Sequence, residues 1–160
     1  MKVISVLARL CFSVIAIAIL LAIVMVPRLN SIQRTGIAPL AELDQPVSVI
    51  RDKHGMAYVR AVSLLDAIRA QGYVTAQDRL FQLMLTRSAI RGQLSELFGD
   101  VLLDRDKRQR TLGFYRAAEK HLPLLDERTR ALFQSYADGV NAFMGNPDAS
   151  MPLELSLIHI

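Results

Sequence analysis

Three polar residues, Gln77, Asp78 and Arg79, stand side by side in an apolar, helix-like run, GYVTAQDRLFQ, at residues 72–82. As an amide, a carboxylate and a guanidinium together, they are the first candidates for chemistry. Helix geometry argues against a joint catalytic role. Successive helical residues point about 100° apart, so the three cannot converge on one substrate atom, whereas each can reach a different neighbouring element. A charge on a partly covered helix persists only when paired or hydrogen-bonded. The expectation is a packing device.

The remaining chemistry-bearing residues form no site. His54, His121 and His159 are scattered, and none pairs with another His, a Cys or a carboxylate at ligand spacing, so no metal site is written. There is no Gly-x-Ser-x-Gly elbow and no phosphate-binding glycine loop. Cys11, the single cysteine, lies in an apolar run and supports neither an intrachain disulfide nor a cysteine metal cluster. A net charge of +4 and a pI near 9.6 raise nucleic acid as a partner. The basic residues are dispersed, however, and the densest run, RDKRQR at 105–110, is interrupted by Asp106 and carries no aromatics. It reads as a solvated helix face, and no nucleic-acid partner is expected.

The elements that must position these residues follow from patterning. Residues 10–26, LCFSVIAIAILLAIVMV, carry no charge. With the apolar residues before them they predict a membrane helix within 1–29, Arg9 snorkelling to the interface. A cleaved signal peptide shares the basic start and apolar middle, but the run is long and ends VMVPRL without a small-x-small pair, which favours an uncleaved signal anchor. Residues 30–46, with Gly36, Pro39 and Pro46, read as a linker. Two β-type runs joined by Asp52-Lys53-His54-Gly55 predict a hairpin, with Gly55 supplying a positive φ and His54 at the exposed tip.

Helices dominate the rest. Ser63 with Asp66 resembles an acidic capping box opening a helix that pauses at Gly72 and continues from Tyr73 to about Arg91. Ala76, Leu80, Leu83 and Met84 return at helical spacing, opposite a polar stripe of Thr75, Asp78, Arg79, Gln82 and Thr86. RGQLSELFG predicts a short helix between Gly92 and Gly99, and residues 100–121 predict charged helix. Asp126 should cap a last helix whose Phe133, Tyr136, Ala137, Val140, Phe143 and Met144 share one face, ended by Gly145, Asn146 and Pro147.

Three blocks, VIRDKHGMAYVRA, then GYVTAQDRLFQLMLTRSAIRGQLSELFG, then YADGVNAFM, resemble in order and separation the opening of the penicillin acylase family. The resemblance covers 47–155 and leaves 156–160 as an atypical tail. It implies an α+β fold, a fragment of a four-layer αββα hydrolase with an N-terminal nucleophile. In such enzymes a precursor is cleaved into a small and a large chain, and the new terminal Ser of the large chain attacks an amide, its own α-amine acting as base. Acylated β-lactams and acyl homoserine lactones are the substrates the resemblance implies, with a structural calcium in the whole protein.

The positions that match the family pattern are Arg51, Asp52, Gly55, Gly72, Tyr73, Gln77, Asp78, Arg79, Gly92, Tyr136, Ala137, Asp138, Gly139 and Asn141. The resemblance assigns them to the small chain's scaffold, and Ala57-Tyr58 stands where the family has Pro-His. The nucleophile, oxyanion donors and calcium ligands are then expected beyond Ile160, so no catalytic, cofactor or metal residue is expected in this chain. The expected protein is the inactive amino-terminal portion of a membrane-anchored, extracytoplasmic (periplasmic) acyl-amide hydrolase, partnered by the remainder of its precursor. A rival expectation is a small membrane-anchored helical scaffold that binds a partner.

Overall fold

The computed structural model describes residues 12–21, 23–25, 36–38, 40, 42–149, 151–152 and 155. Two short strands, β1 (Ser48–Arg51) and β2 (Ala57–Arg60), pair antiparallel in the register Ser48↔Arg60, Val49↔Val59, Ile50↔Tyr58 and Arg51↔Ala57. The turn between them closes as its composition predicts. Gly55 takes φ +83°, and the Asp52 side chain accepts from the backbone N–H groups of His54 and Met56, both at 2.9 Å.

Among the described residues of 61–149, five α-helices follow: α1 (Leu64–Arg91), α2 (Leu94–Phe98), α3 (Leu103–Leu112), α4 (Phe114–His121) and α5 (Glu127–Met144). Ser63 caps α1, its hydroxyl accepting from the Asp66 N–H at 3.4 Å. Asp126 caps α5 in the same way, accepting from the Thr129 N–H at 2.9 Å. Gly92 ends α1 in the left-handed region, where a Cβ is disfavoured. The fold is thus a hairpin followed by helices, and the hairpin is the one sheet among the described residues.

The core lies where α1 crosses α5. Tyr73, Ala76 and Leu80 of α1 bury against Phe143 of α5, with Leu40, Met84, Val140, Ala142, Ala149 and Leu155 packed around them. The rings of Tyr73 and Phe143 meet edge to face with centroids 5.5 Å apart. Gly72 and Gly139 make the close approach possible. A methyl on Gly72 would overlap the Tyr136 carbonyl oxygen, and one on Gly139 would overlap the Arg69 carbonyl oxygen.

Two expectations change. α1 does not pause at Gly72; it runs through, and the departure from helical geometry falls at Arg79, with φ −143° and ψ 28°. Gly72 is a contact glycine, placed by the crossing and not by a turn. On α5 the buried positions are Ser135, Gly139 and Phe143, whereas Phe133 is 62 % exposed, because the tight crossing selects small residues. Residues 12–21 and 23–25 are helical, yet among the described residues no helix is long and apolar enough to cross a membrane. Residues 1–11, 22 and 26–29 of that segment lie outside the described residues, as do 30–35, 39 and 41 of the linker and the 156–160 tail.

Candidate functional site

The polar residues of the opening stretch meet the hairpin. Arg51 ends β1 opposite the small Ala57, and its side chain crosses to α1. Its Nη1 donates to Asp78 Oδ2 at 2.9 Å and its Nη2 to Asp78 Oδ1 at 2.8 Å, a two-pronged guanidinium–carboxylate pair. Nη2 also donates to Gln77 Oε1 at 2.8 Å, and Nη1 to the Gly55 carbonyl at 3.0 Å. Gln77 and Asp78 therefore converge on one partner instead of reaching separate elements. Adjacent helical side chains can do so because the long Arg51 fork spans the angle between them.

The same fork links the helix to the turn, since Gly55 belongs to the loop that Asp52 organises. The Arg51 side chain is only 11 % exposed and that of Asp78 is 28 % exposed, so the pair is partly shielded from water. Arg79 is not in this cluster.

A second cluster sits at the helix crossing. Arg69 of α1 donates to Asp138 of α5 at 3.2 Å and to Glu42 through both its carbonyl oxygen, at 2.6 Å, and its carboxylate, at 3.1 Å. Gln134 holds the other Asp138 oxygen at 2.7 Å. Gly72, Tyr73, Tyr136 and Gly139 build the contact beside it, and the Asn146 amide donates to the Tyr73 hydroxyl at 3.2 Å. Asn141 lies further along α5, where its carbonyl accepts from the Gly145 N–H at 2.8 Å.

Gly92 marks a third place. A Cβ there would press on the Asp106 carbonyl oxygen and the Arg110 side chain, each at 2.8 Å. Most of the residues that the resemblance singles out thus fall at three joints of the fold, hairpin to α1, α1 to α5, and α1 to α3, whereas Arg79 and the exposed Ala137 do not.

Pattern reading missed two buried acids. Asp66 is 3 % exposed and accepts from the backbone N–H groups of Asp44 and Gln45 at 3.1 and 3.3 Å, pinning the preceding segment to α1. Its carboxylate is spent there and not on a capping box. Asp106, placed by its neighbours in a charged solvated run, is also 3 % exposed. Its Oδ2 accepts from the N–H and the hydroxyl of Ser95, both at 2.7 Å, so a residue of α3 caps the start of α2. Gln93 at that cap position makes no capping bond; its side-chain amide donates to the Glu96 carboxylate at 3.3 Å instead.

Burial by itself would raise the Asp106 carboxyl pKa. The N–H and hydroxyl of Ser95, the N–H of Leu94 and the charge of Arg110 outweigh it and hold the group below the ordinary carboxylate value. The one signal available in sequence was an acid at the centre of a basic run.

These clusters clamp elements together; none sets a nucleophile against a base with an open position between them. Among the described residues no group of three or more His, Cys, Asp or Glu side chains is placed to hold a metal ion.

Comparison with known proteins places the clamps in context. The family model for penicillin amidase matches residues 46–160. The penicillin acylase 2 proenzyme of Pseudomonas sp. (strain SE83) is 35% identical over 124 residues, 78% of this chain and 16% of that protein. The acyl-homoserine lactone acylase QuiP of Pseudomonas fluorescens is 34% identical over 122 residues, 76% of this chain and 15% of that protein. A solved structure, the thermostable penicillin G acylase from Alcaligenes faecalis, superposes with a TM-score of 0.65 at 28% identity, covering 74% of this chain and 64% of that chain. The chain spans 16% and 15% of the length of these two curated relatives. With the hairpin, the crossing glycines and the clamps all inside the matched range, the chain belongs to the penicillin amidase family.

Proposed function

We propose that this chain is the amino-terminal scaffold of an acyl-amide hydrolase that uses an N-terminal Ser nucleophile supplied by a following part of the precursor. The observation that carries the reading is the use of the family-matching polar side chains within the match. Arg51, Gln77 and Asp78 satisfy one another, and Arg69 and Asp138 do the same at the helix crossing. Residues spent in this way hold elements at fixed positions and are not themselves free to act on a carbonyl.

Linear amides are the substrate class, with acylated β-lactams and acyl homoserine lactones as the candidates that the relatives' names suggest. The scaffold would work with the large chain of the same precursor, to which any calcium site belongs. The domain reading follows: an anchor in 1–29, a linker in 30–46, and an acylase segment in 47–155 facing the extracytoplasmic side. The support for the anchor is the uncharged run at 10–26. Reading the genomic frame past codon 160 tests the proposal. Continuation into several hundred residues with an internal Ser at a processing junction is expected, and an immediate stop would sink it.

A further inference from the structure

We propose that α4, together with the turn at 122–124 that continues it, docks on an anionic lipid surface. The sequence of this segment is amphipathic. At about 100° per residue, Phe114, Ala117, Ala118, His121 and Leu122 fall on one side of the helix, and Arg116, Glu119 and Lys120 fall on the other. An apolar side of this kind ordinarily turns inward, against the rest of the protein. Here it does not.

Tyr115, at one edge of the apolar side, holds α4 to the body. Its hydroxyl accepts from Arg91 Nη2 at 2.6 Å, and the same guanidinium carbon lies 4.4 Å from the centre of its ring. Every other residue of α4 is exposed, and Phe114, Leu122 and Leu124 each keep more than half of their surface in water. A polar handle at the edge of the face thus fixes the helix with its apolar side outward.

The charge around this face complements a layer of anionic headgroups. α3, joined to α4 through Gly113 alone, and α4 together carry six Lys or Arg and three Asp or Glu, which is most of the chain's net +4. One of those acids, Asp106, is buried, and Glu119 is the one acid of α4. Among the described residues Arg105, Arg108, Arg116 and Lys120 have no acid within ion-pair distance. Lys107 and Arg110 meet Asp104 and Glu96 at 3.8 and 3.7 Å through exposed side chains, where pairing neutralises little. Apolar residues on one side with unneutralised cations behind them form the pattern of an interfacial helix. Phe and Leu enter the acyl boundary, while Lys and Arg reach headgroup phosphates along their flexible stems. A helix this short binds weakly alone, and a tether elsewhere in the chain raises its effective concentration at the surface. The inference stands apart from the acyl-hydrolase reading.

The chain has no tryptophan, so Phe114→Trp places a single fluorescent reporter on this face. The full 160-residue variant is mixed with vesicles of phosphatidylcholine, with or without phosphatidylglycerol, whose brominated acyl chains quench an inserted indole. Blue-shifted emission is expected, with quenching at least about twofold stronger on the anionic vesicles. Adding Arg108→Gln and Lys120→Gln should bring that signal down to the phosphatidylcholine level. Tyr58→Trp provides the comparison. The hairpin is fastened at Asp78, about 20 Å along α1 from Arg91, so position 58 should stay unquenched. Absence of quenching at position 114, in a chain whose circular dichroism shows the helices, would overturn the proposal. Equal quenching at position 58 would also overturn it, by showing general adsorption, and so would equal quenching on the two kinds of vesicle. A blue shift without lipid that grows with protein concentration would seat a second copy of the chain on this face and reject the lipid surface.

Discussion

The guanidinium of Arg51 and the carboxylate of Asp78 face each other fork to fork, with bonds of 2.8 and 2.9 Å, across a separation of 27 residues. This pair fastens a two-stranded hairpin, marginal by itself in water, to the longest helix of the fold. Arg51→Ala is expected to cost about 2 to 3 kcal/mol, since it strands a partly shielded carboxylate. Arg51→Lys should recover only part of that, because an ammonium cannot present the two-pronged fork. A double-mutant cycle with Asp78→Ala, read by urea titration of the detergent-solubilised chain, should give a coupling of about 1 to 2 kcal/mol. Additive single effects would show that the pair contributes nothing to stability.

Gly72→Ala and Gly139→Ala should each cost about 3 kcal/mol or more, because the new methyl meets a backbone carbonyl that cannot rotate away. Gly55→Ala provides the contrast. Its φ of +83° is unfavourable for alanine but its surroundings are open, so about 1 to 2 kcal/mol is expected. The same urea titration ranks the three. Equal losses would mean that α1 and α5 are not in close contact.

Those glycines illustrate what was legible in the sequence. Ser63, Asp126, Gly55, Gly92 and Gly99 were readable because caps and turns obey rules that operate within a few residues. Gly72 was misread as a pause because its reason is Tyr136, far away in sequence. Asp66 and Asp106 were hidden for a similar reason. Hydrophobic periodicity marks apolar burial only, and these acids are buried by bonds to Asp44, Gln45 and Ser95 on other segments. The family-matching residues were visible as a pattern, whereas the convergence of Gln77 and Asp78 on Arg51 required the fold.

Stability should fall in acid through Asp106 and Asp126. Asp126 is held below the usual carboxylate value by the N–H and hydroxyl of Thr129, and Asp106 by the bonds that outweigh its burial. A carboxyl with a lowered folded pKa stabilises above its unfolded value, near about 4, and loses that contribution as pH falls through the folded pKa. Asp106→Asn should therefore lower stability at pH 7 and flatten its decline below about pH 4. Urea midpoints across pH 2 to 7, roughly the carboxylate range, provide the check. An unchanged acid slope in the variant would remove Asp106 from the account.

Phe114 of α4 and Phe133 of α5, and Val101 and Leu124 in the 3-10 turns at 100–102 and 122–124, are well exposed. Exposed apolar side chains of this size favour association in water. The segment 44–160, expressed alone without detergent, is expected to self-associate and to bind an apolar dye. A monomeric preparation with a cooperative thermal transition would contradict this.

The central claim is that this chain positions chemistry that it does not itself contain. Hydrolysis of a chromogenic phenylacetyl or long-chain acyl amide, measured for the 160-residue chain beside the same chain extended along its reading frame, addresses it directly. The account predicts activity in the extended protein alone. Turnover by the 160-residue chain would contradict it and return Asp78 to the list of catalytic candidates.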